Sequence, residues 1–130
     1  FLTYETSAGI WLTFSFGSTV LVILVFYNTD FARPKNVFFG HLISILVGVL
    51  FSELFSLSVF SLSFSVGLAV TLMVYLKVVH PPAAGNPIIA IMGNVGYEYI
   101  FFPIISGTLL LILITIFVNR VILKRNYPFF

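Results

Sequence analysis

The chain has 130 residues, of which 60% are hydrophobic and only 8% are charged, whereas soluble domains carry about 25% charged residues. This composition excludes an ordinary soluble domain, because a core of this size cannot bury so much apolar surface. The net charge of +2 fits basic anchors at a membrane interface better than a nucleic-acid partner, and the absence of cysteine excludes disulfides and thiolate metal sites.

Uncharged segments of membrane-spanning length make up most of the chain. The charged residues leave the runs 6–29, 36–52, 54–76, 78–97 and 99–119. About 20 helical residues at roughly 1.5 Å each cross a hydrocarbon core of about 30 Å. We therefore predict an all-α, polytopic membrane helix bundle in which residues 1–130 form a single transmembrane domain. Its four spanning helices are expected at about 8–27, 37–56, 60–79 and 99–120.

The run 78–97 has the length of a span but the composition of a broken segment. Its prolines and glycines exclude a continuous helix, and broken backbone at membrane depth requires burial in protein or a cavity. We predict a re-entrant segment with a short half-helix from Pro87 to about Met92, ending at Gly93. Asn86 is its predicted N-cap. The free amide donors at its start should then point toward the bilayer interior, next to His80.

A weak internal repeat suggests a second half-helix. Shifting the chain by 68 residues places Gly17-Ser18-Thr19 over Gly85-Asn86-Pro87, with an apolar span following in both cases. Ser18 would then be an N-cap that matches Asn86, while Gly17 and Gly85 would allow close backbone approach. Paired discontinuous segments are typical of transport sites, and facing helix N-termini favour an anion. The alternative is that the first helix is one continuous span.

Four short motifs give the sequence a family resemblance. His80-Pro81-Pro82-Ala83 is preceded by Phe16-Gly17-Ser18-Thr19-Val20-Leu21 and by Arg33-Pro34-Lys35-Asn36-Val37, which leads into Gly40-His41-Leu42. This order resembles the HPP family of integral membrane proteins over nearly the whole chain. The resemblance implies a membrane protein, and family members in chloroplasts and cyanobacteria are associated with nitrite transport.

We predict a membrane transporter or channel for a small solute, an inorganic anion such as nitrite. Half-helix dipoles would attract the anion, and protonation of His80 would couple its movement to a proton gradient. Four spans make a thin wall around a pore, so we expect a homo-oligomer in the lipid bilayer. The predicted substrate-binding residues are His80, Pro81, Pro82, Gly85, Asn86, Gly17, Ser18, Thr19 and His41.

Two other functions are compatible with the sequence. His41 and His80 could be axial ligands of a haem in an electron-transfer subunit, although a double proline is an awkward setting for a ligand. A structural or assembly subunit would instead have no central polar cavity. The sequence contains no hydrolytic or redox motif, so we expect no enzyme activity, catalytic residue, metal site or resident cofactor.

The location and orientation are less determined by the sequence. We expect the bacterial inner (plasma) membrane. If the last two spans form an antiparallel pair, three basic residues lie on each side, and the positive-inside rule gives no orientation. The chain does not begin with Met, and no basic segment precedes its first apolar run. We therefore expect no cleavable signal peptide, and either a start inside a longer protein or a missing N-terminal piece.

Overall fold

The computed structural model describes residues 7–129, without the side chains of residues 7, 8, 10 and 11, and this part of the chain is helical with no strand. The α-helices are α1 (Ser7–Val25), α2 (Pro34–Leu54), α3 (Val59–Tyr75), α4 (Asn86–Gly93) and α5 (Ser106–Phe117). Short 3₁₀ turns cover Asp30–Ala32 and Pro81–Gly85, and π-helical turns cover Ile100–Ile105 and Val118–Ile122. The all-α prediction is confirmed, and the four long predicted helices lie within a few residues of the observed ones.

Two helices are long and apolar enough to cross a membrane. They are α2 and the continuous segment Ile100–Ile122, with mean hydropathies of 2.0 and 2.6. Shorter apolar helices cover Leu12–Val25 and Val59–Tyr75. Large apolar side chains cover the outside of the bundle, among them Phe14 at 72% exposure and Val59 at 82%. Such a surface is stable in lipid and would aggregate in water.

Local sequence explains where α3 and α4 begin and end. Ser58 caps α3 in a capping box with Ser61, each side chain accepting from the other residue's backbone amide. At the end of α3, Lys77 takes a positive φ of 56°, and the amide of Val78 reaches back to Met73 O. Asn94 ends α4 in the same way, with φ of 46°. Both ends have the geometry of a Schellman motif.

The broken segment crosses the bundle from one end to the other. Its start lies beside the first turns of α2, because a Cβ on Gly40 would contact the Cβ of His80. Its end lies beside the last turn of α2, where Asn94 and Glu53 line one shallow cavity. The segment is broken, as predicted, but it runs alongside α2 to the opposite end, whereas a re-entrant segment would return to the side where it began.

This crossing makes α3 and the last helix parallel and places all six basic residues at one end. The last helix finishes beside the first loop, since Tyr127 donates to Ala32 O at 2.7 Å and Arg125 to Leu24 O at 2.6 Å. The tie of three basic residues on each side is therefore wrong, because it assumed an antiparallel pair. We call this end, with Arg33, Lys35, Lys77, Arg120, Lys124 and Arg125, the basic end; Glu53 and Glu98 lie at the other, acidic end.

Candidate functional site

Four polar side chains meet inside the bundle, nearer to its basic end, with no exposure to solvent. Thr19 comes from α1, His41 from α2, His80 from the start of the broken segment and Asn86 from the first residue of α4. Each has a relative exposure of 0%, and Ser15, one turn before Thr19, is 7% exposed. Buried polar groups cost free energy unless they are paired, so their hydrogen bonds decide what this cluster can do.

The cluster is a single chain of hydrogen bonds whose direction follows from its two ends. His80 Nδ1 donates to the carbonyl of Phe31 at 2.8 Å, so Nε2 of neutral His80 is an acceptor. Asn86 Nδ2 donates to His41 Nδ1 at 2.9 Å, so His41 Nε2 carries the proton. That Nε2 donates to Thr19 Oγ1 at 3.0 Å, and Thr19 Oγ1 lies 3.0 Å from His80 Nε2. Thr19 therefore bridges the two imidazoles.

Ser15 extends this series of hydrogen bonds toward the side of the bundle. Its hydroxyl lies 2.9 Å from Asn86 Oδ1 and 3.1 Å from Pro82 O, and it has one proton to donate to either. Phe16 packs edge-on against the ring of His41, with centroids 5.4 Å apart. Apolar contact on one side and hydrogen bonds on the other hold His41 in place.

Polar side chains of α1 and α2 also compensate the broken main chain. Prolines at the start of a helical turn leave carbonyls before and within the turn without their usual partners. In a bundle that excludes water, these carbonyls need donors from neighbouring helices. The donor and acceptor pairs are Asn36 Nδ2 with Val79 O at 3.1 Å, Ser44 Oγ with Ala83 O, and Ser15 Oγ with Pro82 O at 3.1 Å.

Two glycines of α2 allow this close packing. A Cβ on Gly40 would lie 2.7 Å from His80 Cβ, and one on Gly48 would lie 2.7 Å from Pro87 Cα. With Ser44 between them, they form a face with a small residue at every fourth position, as in closely packed membrane helices. The predicted close approach at Gly17 and Gly85 is wrong, because an added Cβ would meet nothing within 4 Å at either position.

A cavity of about 440 Å³ lies between α1 and the broken segment, on the side of the cluster where Ser15 is found. It opens sideways past Phe14, and its lining is mainly apolar. Its polar side chains are the hydroxyls of Ser15 and Ser18. The cluster of histidines is thus separated from the cavity by Ser15 and by Asn86, to which Ser15 is hydrogen bonded. The full lining is Phe14, Ser15, Ser18, Pro82, Gly85, Ile88, Ile89 and Met92.

The predicted site residues divide into three groups. His80, Asn86, Thr19 and His41 form the buried cluster. Others border the cavity or form the turn before α4, whereas Gly17 lies exposed on α1 away from both. The cavity-lining residues are Ser18, Pro82 and Gly85, and Pro81 starts the 3₁₀ turn.

Two predictions about helix starts are wrong. Helix α1 is continuous from Ser7 to Val25, so Ser18 caps nothing, and the alternative of a continuous first span is correct. Asn86 makes no capping hydrogen bond, because its side chain instead joins Ser15 to His41. The helical path already begins at Pro81, where the two prolines have no amide hydrogen.

Two amides at the start of the broken segment are already used within the turn. The first amide after the two prolines, that of Ala83, donates to His80 O, and the amide of Asn86 donates to Ala83 O. The other donors near this turn are the hydroxyl, amide and imidazole groups of side chains.

Sequence reasoning missed Ser15, Asn36 and Ser44. Their signal was spacing: Ser15 precedes Thr19 by one helical turn, and Ser44 lies midway between Gly40 and Gly48. Ser15 lies on the same helix face as Thr19, and its hydroxyl can donate to Pro82 O. Ser44 lies on the same helix face as Gly40, and its hydroxyl donates to Ala83 O.

The two histidines are too close for the predicted haem alternative. Their ring centroids are 5.3 Å apart, and Thr19 Oγ1 lies between their Nε2 atoms. Axial ligands must leave room for a flat macrocycle between the rings, and that space is filled by Thr19. The geometry does not fit a haem with these ligands.

Comparison with known proteins identifies the chain's relatives. The family model described as "HPP, transmembrane region" matches residues 1–128. One transmembrane protein of Dictyostelium discoideum is 30% identical over 124 residues, which cover 89% of this chain and 44% of the relative. Another from the same organism is 30% identical over 129 residues, covering 93% and 42%. The chain thus spans less than half the length of these curated relatives, and no solved structure matches it.

Proposed function

Because the chain belongs to the HPP family of integral membrane proteins, we propose that it is a transporter or channel for a small solute, an inorganic anion such as nitrite. One observation carries the proposal: four fully buried polar side chains are joined by hydrogen bonds inside an apolar bundle, beside a cavity. Polar and ionisable groups inside a membrane are costly, and they mark solute and ion pathways.

The chemistry of the cluster suits a small planar anion. Hydroxyls of Ser15 and Ser18 face the cavity, and the amide of Asn86 can offer its donors if its bond to His41 is exchanged. An anion of two or three oxygen atoms would accept from these groups, while the two histidines supply the ionisable side chains of the cluster.

A nitrite flux assay in proteoliposomes tests the proposal. We expect the wild-type chain to accelerate nitrite entry over protein-free liposomes, which control for nitrous acid that crosses lipid unaided. Asn86→Leu and His80→Ala should lower the flux at least tenfold. The matched control is Asn126→Leu, since Asn126 is an exposed residue of the C-terminal tail. Wild-type flux equal to that of empty liposomes would show that nitrite is not a substrate. Undiminished flux in His80→Ala would show that this histidine is not needed for transport.

Assembly of several copies is part of the proposal. The cavity opens sideways between α1 and α4, and exposed Phe14 and Ile88 stand at its edge. A second copy packed there would close the cavity toward lipid and leave a route along the bundle. Cross-linking in native membranes through a Phe14→Cys variant should yield a dimer or a larger ring. If the protein stays monomeric, the proposed assembly is wrong.

A structural or assembly role is the second candidate, and one observation favours it. Asn36 and Ser44 already serve the carbonyls of the broken main chain, so part of the buried polarity is explained by folding alone. The two histidines and Thr19 are not needed for those carbonyls, which is why we prefer transport. The flux assay decides between the two. The membrane in which the protein works, which we expect to be the bacterial plasma membrane, is likewise a proposal.

A further inference from the structure

The bridge between the two histidines has two hydrogen-bonding states that differ by one proton. In the neutral state Thr19 accepts from His41 Nε2 and donates to His80 Nε2, both at 3.0 Å. Thr19 Oγ1 also lies 2.9 Å from the carbonyl of Ser15, one turn earlier in α1. The hydroxyl has a single proton, so it can serve His80 or that carbonyl, and not both at once.

Protonation of His80 leaves every group in the cluster paired. When Nε2 of His80 takes a proton from a hydronium ion, which leaves as water, it becomes a donor to Thr19 Oγ1. The Thr19 hydroxyl then turns its own proton to the Ser15 carbonyl and accepts from both histidines. The new N–H bond is the only covalent change in the protein, and the hydrogen bond from Nδ1 to Phe31 O is kept. A rotation of one hydroxyl is therefore enough to accommodate the charge.

The cluster can accept only one added proton. The ring centroids of His41 and His80 are 5.3 Å apart, so two imidazolium charges would repel each other at short range in an apolar interior. No carboxylate of the described residues lies within the cluster to balance even one charge. Helix α1 and the segment 81–93 have no charged side chain. The charged groups on the surrounding elements lie at the bundle ends: Asp30, Arg33, Lys35, Lys77 and Arg120 at the basic end, and Glu53 and Glu98 at the acidic end.

We propose that His80, bridged to His41 by Thr19, binds one proton together with each anion, so that the pair moves without net charge. The inference rests on the proposed function. An uncompensated imidazolium in this bundle is unstable, and so is an uncompensated anion in the apolar cavity beside it. Ser15 and Asn86 link the cavity to the two histidines. An anion in the cavity therefore stabilises a proton on His80, and the proton stabilises the anion.

Thr19 is a positioning residue in this scheme, because it acts through the histidines. Thr19→Ser keeps the hydroxyl and should keep the coupling. Thr19→Val has the same shape without the hydroxyl, so the bridge is lost and His80 Nε2 has no partner in either state. The matched control is Thr71→Val: Thr71 is exposed on α3, and its hydroxyl bonds to Gly67 O one turn earlier, at 2.8 Å.

The test measures nitrite and proton entry together in proteoliposomes whose membrane potential is clamped with potassium and valinomycin. We expect one proton per nitrite, an initial rate that rises at least tenfold with an inward pH gradient of about two units, and no response to a potential of either sign. His80→Gln and Thr19→Val should lose the dependence on the pH gradient, while Thr19→Ser and Thr71→Val retain it.

The outcomes separate the two proposals. If nitrite flux follows the membrane potential, or if nitrite enters without protons, the proposed joint binding of a proton and an anion is overturned. The protein would still be a nitrite transporter. An unchanged pH-gradient dependence in both His80→Gln and Thr19→Val would overturn the assignment of the proton to this bridge. Wild-type flux no greater than that of empty liposomes would overturn the proposed function and this inference with it.

Discussion

Gly48 of α2 lies against Pro87 of α4 so closely that a Cβ at position 48 would stand 2.7 Å from Pro87 Cα and 2.8 Å from Ala90 Cβ. Both neighbours are fixed parts of a short helix, so neither can move aside without shifting the segment that carries Asn86. The position of α4, and with it one end of the hydrogen-bonded cluster, depends on the missing side chain.

Gly48→Ala should therefore destabilise the protein. We expect the free energy of unfolding to fall by about 1–3 kcal/mol, which is the usual cost of overpacking. The control is Gly67→Ala on α3, where an added Cβ meets nothing within 4 Å. Alanine there should be neutral or stabilising by about 0.5–1 kcal/mol, because glycine is a poor helix former. Thermal unfolding in detergent compares the two, and equal midpoints would contradict the close contact.

Ser44→Ala should be destabilising for a different reason. It removes the donor to Ala83 O and leaves that carbonyl buried without its partner. The expected cost is about 1–3 kcal/mol. Ser63→Ala on the exposed side of α3 is the matched control and should cost less than about 0.5 kcal/mol. Denaturant titration of both variants checks this, and a Ser44→Ala protein as stable as the control would show that the carbonyl has another donor.

Tyr127 makes stability sensitive to strong alkali. Burial raises the pKa of Tyr127 from its usual 10.0 to about 12, so the neutral phenol is favoured in the folded protein. This contribution is fully present below pH 10, because both the folded and the unfolded phenol are then protonated. It is lost as the pH rises from about 10 to about 12, where only the unfolded state releases the proton.

Tyr127→Phe isolates that effect. Near pH 7 the variant should be less stable by about 1 kcal/mol, because the hydroxyl no longer donates to Ala32 O. Between pH 10 and 12 the wild type should lose this advantage while the variant changes less. Unfolding midpoints of both proteins across that range give the comparison. A stability difference that stays constant from pH 7 to pH 12 would contradict burial of the phenol.

The orientation of the bundle can be measured because the chain has no native cysteine. The positive-inside rule predicts that the basic end faces the cytoplasm. Single cysteines at Asn126 in the C-terminal tail and at Leu57 in the α2–α3 turn report on the two ends without altering any charge. A membrane-impermeant maleimide should label Leu57→Cys on intact cells and Asn126→Cys only after permeabilisation. The reverse pattern would contradict the prediction.

The helices were predictable because charges and prolines act locally. Uncharged runs gave the four long helices, and the prolines from Pro81 to Pro87 predicted the break. The direction of the broken segment was not predictable in this way. A run of apolar residues has the same composition whether it crosses or returns, and only its contacts with Gly40 and Gly48 along α2 decide.

The candidate site was partly predictable for a similar reason. His80 stood out because the chain has only two histidines, and Asn86 because it precedes Pro87; both lie in the cluster. Ser18 was placed in a wrong role because the repeat implied a second helix break, whereas α1 continues through it and Ser15 makes the contact with Asn86. Which face of a helix meets its neighbour depends on packing, which a shift of the sequence on itself does not contain.

The crossing of the broken segment has a consequence for anything attached to the chain. With α1, α2, α3, the segment 80–94 and the last helix, the polypeptide traverses the bundle five times, and an odd number separates the first described residues from the last. A reporter joined ahead of residue 7 and one joined behind residue 129 would sit in different compartments. A fluorescent protein and a periplasmic or luminal enzyme could therefore be active at the same time, one at each end of the described region.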